Sequence, residues 1–446
     1  MRRRPVTSLD RFAVPTGFDP RLTRRTLMQA VGLGALATSA PFLAGCGSSS
    51  GKTAISLHET KPEVIPYFDD LVAKFNAQSS DVEATHDSTT DPIADFVRKR
   101  PPDLFCDNYN LTTSIFVARG VLSDLADAPE AALIDPTVQA LVSQYSSYKG
   151  QTSALPYSIA AEGVIYNRDH FKTIGINSDA DVPKTWTDYV GVCKELQSAK
   201  VVPIYSTFID PWTMQQGIFD YVVGGMIDVA GFYQKLVAEG ADFNPNSPVT
   251  FSKDFKEPCL RMLELLPFMN DDRAGQAYTT GTPNFAHGTG AMYYQGPWAF
   301  SGISATNPKA DMGTFPLPVT DNADDTKCRV NLDLACYIPT GTGTAAAAAE
   351  LMSFLYGDNG ATCIKYNKDN LAFAPLKGAA RADDPKIAGL DPYVSAGKFY
   401  QGAGTYIPLS IPIGNYIQQF LIDQNVDGFL SKLDADWQRL VVRTAA

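Results

Sequence analysis

The sequence is poor in the side chains and motifs that mark common hydrolases. It has 4 histidines in 446 residues, namely His58, His86, His170 and His287. A serine nucleophile needs a base that a third group holds in place, yet no GxSxG elbow joins a strand to a helix, and no HExxH zinc motif occurs. The acidic turn at residues 321–325 lacks the glycine and the final glutamate of a calcium loop. No catalytic metal or nucleophile is therefore expected.

Positive charge is also scarce once the N-terminal segment is set aside. Residues 1–45 carry seven arginines and two acidic residues, so the rest of the chain has 30 basic and 46 acidic residues and a net charge of −16. Such a body is repelled by phosphate backbones and by anionic lipid. Neither a basic run nor a phosphate-binding glycine loop follows residue 46. Nucleic acid is therefore not expected as a partner, and no cofactor is predicted.

Cysteine occurs seven times but never in a CxxC pair. Cys193 falls on the buried face of a predicted helix, and most of the cysteines are interpreted as small buried hydrophobic residues. The six cysteines after Cys46 are an even number, which still permits disulfides outside the cell. Cys328 and Cys336, eight residues apart around a predicted strand, are the pair to test.

The chain begins with the pattern of an export signal. Several arginines precede the apolar residues 27–45, which end in small residues before Cys46. This exit, LAGC, resembles the lipobox of bacterial lipoproteins, in which the cysteine is lipidated and becomes the first mature residue. Residues 23–28 resemble a twin-arginine export signal, and the general secretory route is the open alternative.

A membrane-spanning helix is the other interpretation of the same apolar run. It fits less well, because Ser39 and Pro41 interrupt a segment that is barely long enough to cross a bilayer. Residues 46–52, which contain Cys46 and a Gly/Ser-rich stretch, are interpreted as a flexible tether. We therefore expect a mature body outside the cell that is anchored to the cell membrane through lipid.

After the tether, short apolar strands alternate with amphipathic helices. Strands are predicted at residues 53–58, 81–86 and 102–106, and helices at 62–75 and 92–100. This alternation predicts an α/β architecture with a largely parallel sheet. Ligands of such sheets gather at the carboxyl ends of the strands, where His58 and Asp107 are placed.

The rest of the chain continues in the same way and shows no internal repeat. Residues 151–167 are predicted to be extended. Helices are predicted at residues 186–199, 212–226, 229–239, 253–266, 345–356, 414–423 and 426–443, and strands at 291–295, 312–317 and 331–338. The length after the tether allows two or three ordinary domains.

Four stretches in a fixed order carry a family resemblance. They are PDLF at 102–105; LPYS at 155–158 with VIYNRD at 164–169 and PKTW at 183–186; GTGAM at 288–292 with GPWAF at 296–300; and YIP at 337–339 with the helix at 348–355. With these stretches the chain, from residue 53 to its end, resembles the maltose-binding-protein-like family of extracytoplasmic solute-binding proteins, which feed ABC importers.

The resemblance implies a two-lobe α/β fold of the periplasmic-binding-protein type II, with a hinge and a cleft between the lobes. Because the chain passes between the lobes more than once, each lobe is expected to be discontinuous. Lobe 1 is expected to comprise residues 53–158 and about 335–385, and lobe 2 residues 159–334 and about 386–446. The ligand is expected in the cleft.

Two tryptophans are the main candidates for contact with a sugar, whose apolar C–H faces need flat aromatic surfaces. Trp298 follows Gly296 and Pro297 at a strand end and matches a stacking tryptophan of the family, and a core position is its alternative role. Trp212 lies in the first turn of a predicted helix, where an aromatic packs poorly into a core. The family places an acidic-Pro-aromatic triplet there, which makes Asp210 a candidate hydroxyl acceptor.

The remaining candidates are polar or aromatic side chains near the ends of elements. They are His58, Glu59, Asp107, Asn108, Tyr157, Ser158, Asp333 and Tyr416. Asp107 and Asn108 either accept from hydroxyls or cap the next helix. Asp333 lies on the strand that returns across the cleft. The alternative to ligand contact for this residue is a structural role in the hinge. Tyr416 begins the penultimate helix, where the family has a cleft aromatic but the local sequence departs from the pattern.

The resemblance implies a binding protein rather than an enzyme. We expect a monomeric, membrane-tethered receptor that captures a sugar or oligosaccharide and delivers it to the permease of an ABC importer. The rival hypothesis is a secreted glycosidase or lyase, which would need a pair of carboxylates flanking one glycosidic oxygen. A third possibility is a receptor for peptides or polyamines, whose cleft would show more uncompensated charge and less aromatic surface.

Overall fold

The structure, a computed structural model, describes residues 51–61, 64–379, 384–408 and 410–445. The predictions of an export signal and of lipidation at Cys46 concern residues outside the described ones. The described part lies within one compact unit, Ser50–Ala446. No helix in these described ranges is both long and apolar enough to cross a membrane.

Strands and helices alternate along the chain as the sequence predicts. The strands are β1 (Thr53–His58), β2 (Val82–Asp87), β3 (Leu104–Asp107), β4 (Leu155–Asn167), β5 (Val202–Tyr205), β6 (Gly290–Gln295), β7 (Met312–Phe315), β8 (Cys328–Tyr337) and β9 (Phe399–Gln401). The helices are α1 (Ile65–Gln78), α2 (Pro92–Val97), α3 (Leu111–Ala118), α4 (Pro136–Tyr145), α5 (Arg168–Thr173), α6 (Trp186–Ser198), α7 (Pro211–Met214), α8 (Asp220–Met226), α9 (Val229–Ala238), α10 (Phe251–Asp254), α11 (Lys256–Leu265), α12 (Tyr278–Ala286), α13 (Ala299–Thr306), α14 (Ala345–Tyr356), α15 (Ala361–Asp369), α16 (Asp391–Ser395), α17 (Ile413–Asp423) and α18 (Val426–Ala445). The α/β class is confirmed.

The prediction of one continuous helix at 212–226 is wrong, because the helix is interrupted. The chain forms α7 and α8 with a π-helical turn, Gln215–Phe219, between them. Gly217 in that turn has φ −86° and ψ −108°, outside the helical range. A Cβ atom at Gly217 would lie 2.7 Å from the carbonyl oxygen of Tyr294 on β6. The helix is therefore interrupted where its backbone packs directly against the sheet.

The sheet is mixed, and the prediction of a largely parallel sheet is wrong. The strand order is β2-β1-β3-β8-β4-β6-β5, with β7 beside β4 and β9 beside β8. The pairs β1–β2, β1–β3, β5–β6 and β8–β9 are parallel, whereas β8 pairs antiparallel with both β3 and β4. The reason is that β4 leads away from the first strands and β8 returns beside it, so the two run in opposite directions.

The described residues form four hydrophobic cores, and the two largest flank these crossing strands, while a third holds α12 and α13 through Phe285 and Phe300. Lobe 1 packs β1–β3, α1, α14 and α15 around a core that includes Leu57, Phe68 and Leu351. Lobe 2 packs β6, β7, α6–α11, α17 and α18 around a second core. The start of β4 contributes Leu155 to the first core and its end contributes Val164 to the second. All 13 residues of β4 are buried, as expected for a strand that passes through the middle of a protein.

A buried cluster of charges lies where β4 and β8 cross. Glu162 on β4 and Arg329 on β8 are direct register partners, and Arg329 donates hydrogen bonds to Glu162 and, over 2.9 Å from Nε, to Asp220 on α8. The side chains of all three are 0% exposed. Asp220 also accepts from the backbone nitrogen of Gly404 over 2.7 Å. The cluster ties both crossing strands to lobe 2.

The charges in this cluster do not balance, because two carboxylates face one guanidinium. Burial raises the pKa of Glu162 to about 8, even though Arg329 favours the ionised carboxylate. Burial also raises the pKa of Asp220. A single proton held by Glu162 makes the cluster neutral. The charges that bear on Glu162 are Arg329, Asp220 and Asp333.

The cluster predicts a pH dependence of stability. The folded-state pKa of Glu162 is higher than its unfolded value, so the folded chain binds more protons between about pH 4.5 and pH 8. The free energy of unfolding should therefore fall as the pH rises through this window. Glu162→Gln keeps the shape of the side chain but cannot ionise. It should reduce the dependence of the free energy of unfolding on pH to the contribution of Asp220. Urea unfolding from pH 5 to pH 9 measures this.

The matched control for that experiment is Glu195→Gln, because Glu195 is an exposed residue of α6. This variant should keep the pH profile of the parent chain. An equal slope for the parent and the Glu162→Gln variant would contradict the prediction.

The six described cysteines are all free and buried. Cys328 and Cys336 stand at opposite ends of β8, and at about 3.3 Å per residue they are roughly 26 Å apart. A disulfide needs Cα atoms within about 7 Å, so the pair selected from the sequence does not form one. Cys193 lies on the buried face of α6, as predicted.

Candidate functional site

A cavity of about 640 Å³ opens between the two lobes. Its walls include Lys61, Val64 and residues 366–372 on one side and Tyr278, Trp298 and Ser301 on the other. Asp333 on β8 also lines it. This volume lies within the range of about 300–1,000 Å³ that is typical of small-molecule sites.

Three aromatic rings cluster at one wall of the cavity. The ring centroids of Trp212 and Tyr278 are 4.9 Å apart, and those of Trp212 and Trp298 are 6.2 Å apart. Trp298 and Tyr278 line the cavity. All three side chains are half-buried, so part of each ring remains exposed. We call Trp212, Tyr278 and Trp298 the aromatic wall.

The segment around Trp298 shows how the backbone sets this ring. Gly296 and Pro297 follow the end of β6, and Trp298 occupies the N-cap position of α13. A Cβ atom at Gly296 would lie 2.2 Å from the Trp298 ring, so only glycine allows the ring to fold back there. The indole nitrogen of Trp298 donates to Oε1 of the buried Gln295 over 3.1 Å, which fixes the ring orientation.

Asp210 links two parts of the aromatic wall. It stands at the N-cap of α7, but its side chain does not cap that helix. Instead, its Oδ2 accepts from the backbone nitrogen of Tyr278 over 2.6 Å. The carboxylate therefore holds the start of α12, which carries Tyr278, against the helix that carries Trp212.

The charged side chains at the cavity wall are compensated. Lys61 holds both oxygens of Asp333, at 2.7 and 2.8 Å. Two further ion pairs reach the wall, Lys365 with Asp369 at 2.5 Å and Lys386 with Asp384 at 3.4 Å. The wall itself contains two lysines and two aspartates, Lys61, Lys386, Asp333 and Asp369. Such a surface suits a neutral ligand better than a charged one.

The candidates at the carboxyl ends of β1 and β3 differ in burial: His58 and Glu59 are buried, whereas Asp107 is half-buried. His58 is fully buried against the Phe105 ring, and its Nε2 lies 3.4 Å from Oδ2 of Asp107, without the alignment of a hydrogen bond. Glu59 is also fully buried and accepts from the backbone nitrogen of Lys61 over 2.5 Å. Asn108 is exposed. Of the charged residues here, Lys61 is the one that lines the cavity.

Three other candidates lie apart from the aromatic wall. Tyr157 is fully buried in the core of lobe 1, and its hydroxyl donates to the carbonyl of Leu355 over 3.1 Å. Ser158 is fully buried beside it on β4. Tyr416 lines a separate hollow of about 210 Å³ between α17 and α18, where its hydroxyl donates to Asp436 over 2.7 Å.

The structure thus brings together Trp298, Trp212, Asp210 and Asp333 of the predicted residues. Sequence reasoning missed Tyr278 and Lys61. A signal for Tyr278 was present, because it lies in the first turn of a helix, the same criterion that selected Trp212. No local signal marks Lys61, since its partner Asp333 comes from a distant strand. Among the described residues, no group of three or more His, Cys, Asp or Glu side chains could hold a metal ion.

Comparison with known proteins identifies the family. The model of the bacterial extracellular solute-binding protein family matches residues 60–362. The chain belongs to this family. This family consists of solute-binding proteins.

Curated relatives match over part of their length. A multiple sugar-binding protein of Streptococcus mutans is 28% identical over 167 residues, which are 37% of this chain and 38% of that protein. A probable sugar-binding periplasmic protein of Mesorhizobium japonicum is 24% identical over 213 residues, 47% of this chain and 48% of that protein. The matched parts span less than half the length of these relatives.

Solved structures match nearly the whole described chain. RafE from Streptococcus pneumoniae in its apo form has a TM-score of 0.74 at 17% identity and covers 88% of this chain and 98% of that one. RafE bound to raffinose has a TM-score of 0.68 at 18% identity, with 87% and 100% covered. A Bacillus licheniformis sugar transporter protein bound to stachyose has a TM-score of 0.63 at 13% identity, again with 87% and 100% covered. The two-lobe fold of the solute-binding proteins is confirmed.

Proposed function

We propose that this protein captures a neutral sugar or oligosaccharide in the interlobe cavity and delivers it to an ABC importer. The observation that carries the proposal is the aromatic wall in a cavity whose charged side chains are paired. Aromatic faces pack on the C–H faces of a sugar ring, and paired charges leave neutral hydroxyls as the best match. A receptor for peptides or polyamines would need more uncompensated charge at this wall.

The relatives support the same ligand class. The names of the two curated relatives describe sugar binding, and two of the similar structures were solved with raffinose and with stachyose. Delivery to the permease of an importer follows from the role of the solute-binding family. We propose that the protein acts as a monomer in this role.

We assign the roles of the candidate residues by their positions. Trp298 and Trp212 act as stacking platforms, and Tyr278 extends them. Asp210 positions Tyr278 and accepts from a ligand hydroxyl. Asp333, held by Lys61, offers hydroxyl acceptors across the cavity.

The remaining candidates act from around this centre. Asp107 and Asn108 contact the ligand from the carboxyl end of β3. His58 and Glu59, which are buried at the end of the neighbouring strand β1, hold the end of β3 in position. Ligand contact by Tyr157, Ser158 and Tyr416 stays a prediction, because these side chains lie apart from the cavity.

A thermal-shift screen with mono- and oligosaccharides tests the proposed function. A ligand at 100 times its dissociation constant stabilises the folded state by about 2.7 kcal/mol, which should appear as a clear rise in melting temperature. Charged peptides and polyamines serve as the comparison set. A rise with these and none with any saccharide would overturn the proposal, and turnover of a bound saccharide would support the rival enzyme.

We further propose that Cys46 is lipidated and anchors the protein to the outer face of the cell membrane. The LAGC exit after an apolar run supports this. Cys46→Ala should release the protein from the membrane fraction or mislocalise it, because the acyl chains are lost. Fractionation with immunodetection measures the change, and a variant that stays in the membrane fraction would contradict it.

Sugar binding should also bring the lobes together. The cavity is lined from both lobes, so a bound ligand gains contacts when they approach each other. Small-angle X-ray scattering should show a smaller radius of gyration at saturating sugar. Trp298→Ala, whose dissociation constant is expected to be about 30- to 1,000-fold higher, should need a correspondingly higher sugar concentration for the same change. An unchanged radius for the parent chain with confirmed binding would contradict this prediction.

A further inference from the structure

Two of the buried cysteines face each other across neighbouring strands. Cys106 on β3 and Cys336 on β8 are direct register partners in an antiparallel pair. Both side chains belong to the hydrophobic core of lobe 1, so they point to the same face of the sheet. Both residues are 0% exposed. Burial, together with the neighbouring Cys336 thiol, raises the pKa of Cys106.

This register fits the geometry of a disulfide. Directly opposite residues in antiparallel strands have Cα atoms about 4.5–5.5 Å apart, and disulfides join Cα atoms about 4.4–6.8 Å apart. Cys363 is the next thiol in the same core, but its Sγ donates to the carbonyl of Tyr157 over 3.2 Å. The strand register therefore singles out Cys106 and Cys336.

We propose that Cys106 and Cys336 are a dithiol pair that closes to a cross-strand disulfide when the chain folds in the presence of a disulfide oxidant, the redox condition typical outside the cell. The thiolate of one cysteine attacks the oxidant disulfide, forms a mixed disulfide and releases one thiol. The second cysteine then attacks the mixed disulfide and releases the other thiol. Two protein thiols are oxidised, one oxidant disulfide is reduced to two thiols, and the two protons pass to these products.

Because the pair is buried, its reduced dithiol state and its disulfide state interconvert slowly once the chain has folded. A thiol with a raised pKa has little thiolate and reacts slowly, so a chain that folds with both thiols reduced keeps them reduced. A chain that folds under oxidising conditions acquires the link. The link joins β3, which ends at Asp107, to β8, which carries Asp333 three residues before Cys336. It thereby connects two edges of the proposed binding site.

The experiment refolds the full chain from denaturant with either oxidised glutathione or a reductant. The folded fraction is then alkylated in denaturant and mapped by peptide mass spectrometry. We expect the oxidised sample to have two fewer alkylated cysteines than the reduced sample, and a peptide pair linked through Cys106 and Cys336. Reduction before alkylation should restore both sites.

Variants separate this pair from other cysteines. Cys106→Ala and Cys336→Ala place small apolar side chains in the core and should each abolish the link. Cys193→Ala, a substitution at another buried cysteine in lobe 2, should leave it intact. Full alkylation of the oxidised folded chain, or a link from Cys336 to Cys363, would overturn the proposal.

Discussion

Replacing Arg329 by methionine is expected to lower the free energy of unfolding by about 3–5 kcal/mol, the cost of breaking a buried ion pair from one side. The guanidinium is fully buried and donates to both Glu162 and Asp220. Without it, two carboxyl groups remain in the interior and face each other with no counter-charge. Urea or guanidinium unfolding at pH 7 measures the loss.

Arg439→Met is the matched control for this variant. Arg439 pairs with Asp436, but its side chain is 64% exposed, and exposed ion pairs contribute about 0–1 kcal/mol. If Arg329→Met lost as little stability as Arg439→Met, the buried cluster would be shown to be unimportant for stability.

A rescue experiment distinguishes charge from packing at this position. Adding Glu162→Gln and Asp220→Asn to Arg329→Met removes both ionisable carboxyl groups and keeps side chains of similar shape. Much of the lost stability should return, because the main cost is a buried charge rather than a cavity. A triple variant no more stable than Arg329→Met would point to lost packing instead.

Replacing Trp298 by alanine is expected to weaken sugar binding by about 2–4 kcal/mol, as the truncation of a central aromatic does at binding sites. This corresponds to a dissociation constant about 30- to 1,000-fold higher. The ring lines the cavity and lies 6.2 Å from Trp212, so its loss removes one end of the aromatic wall. Trp298→Phe retains a flat face and should lose less. Isothermal titration calorimetry with a sugar from the screen measures both.

Trp437→Phe is the control for a tryptophan with a structural role. Trp437 is 4% exposed and packs against Phe251 and Tyr233 in the core of lobe 2. Its replacement should lower the melting temperature while the dissociation constant stays unchanged. The opposite pattern for Trp298→Ala, with a large loss of melting temperature and intact affinity, would place Trp298 in the core and overturn its assignment to the site.

Comparison of prediction and structure shows why some candidates lie at the cavity. Trp298 follows a glycine and a proline at a strand end, and Trp212 lies in a first helical turn. Both signals are local, because they depend on backbone conformation within a few residues. The same signal applies to Tyr278. Candidates selected from strand position alone were less informative, since His58 and Tyr157 follow the strand pattern but are buried.

The sequence by itself determined the alternation of strands and helices, the α/β class and the tryptophans that line the cavity or adjoin its wall, because these depend on hydrophobic periodicity and turn chemistry. Tertiary structure alone decided that β4 and β8 cross as antiparallel neighbours. That pairing places Arg329 opposite Glu162 and Cys336 opposite Cys106. It also decided that Asp210 holds Tyr278 and that Lys61 holds Asp333. These partners are distant in sequence. The pairing of β8 with β3 and β4 brings the first two pairs together, and the packing of helices and loops around the sheet brings the other two together.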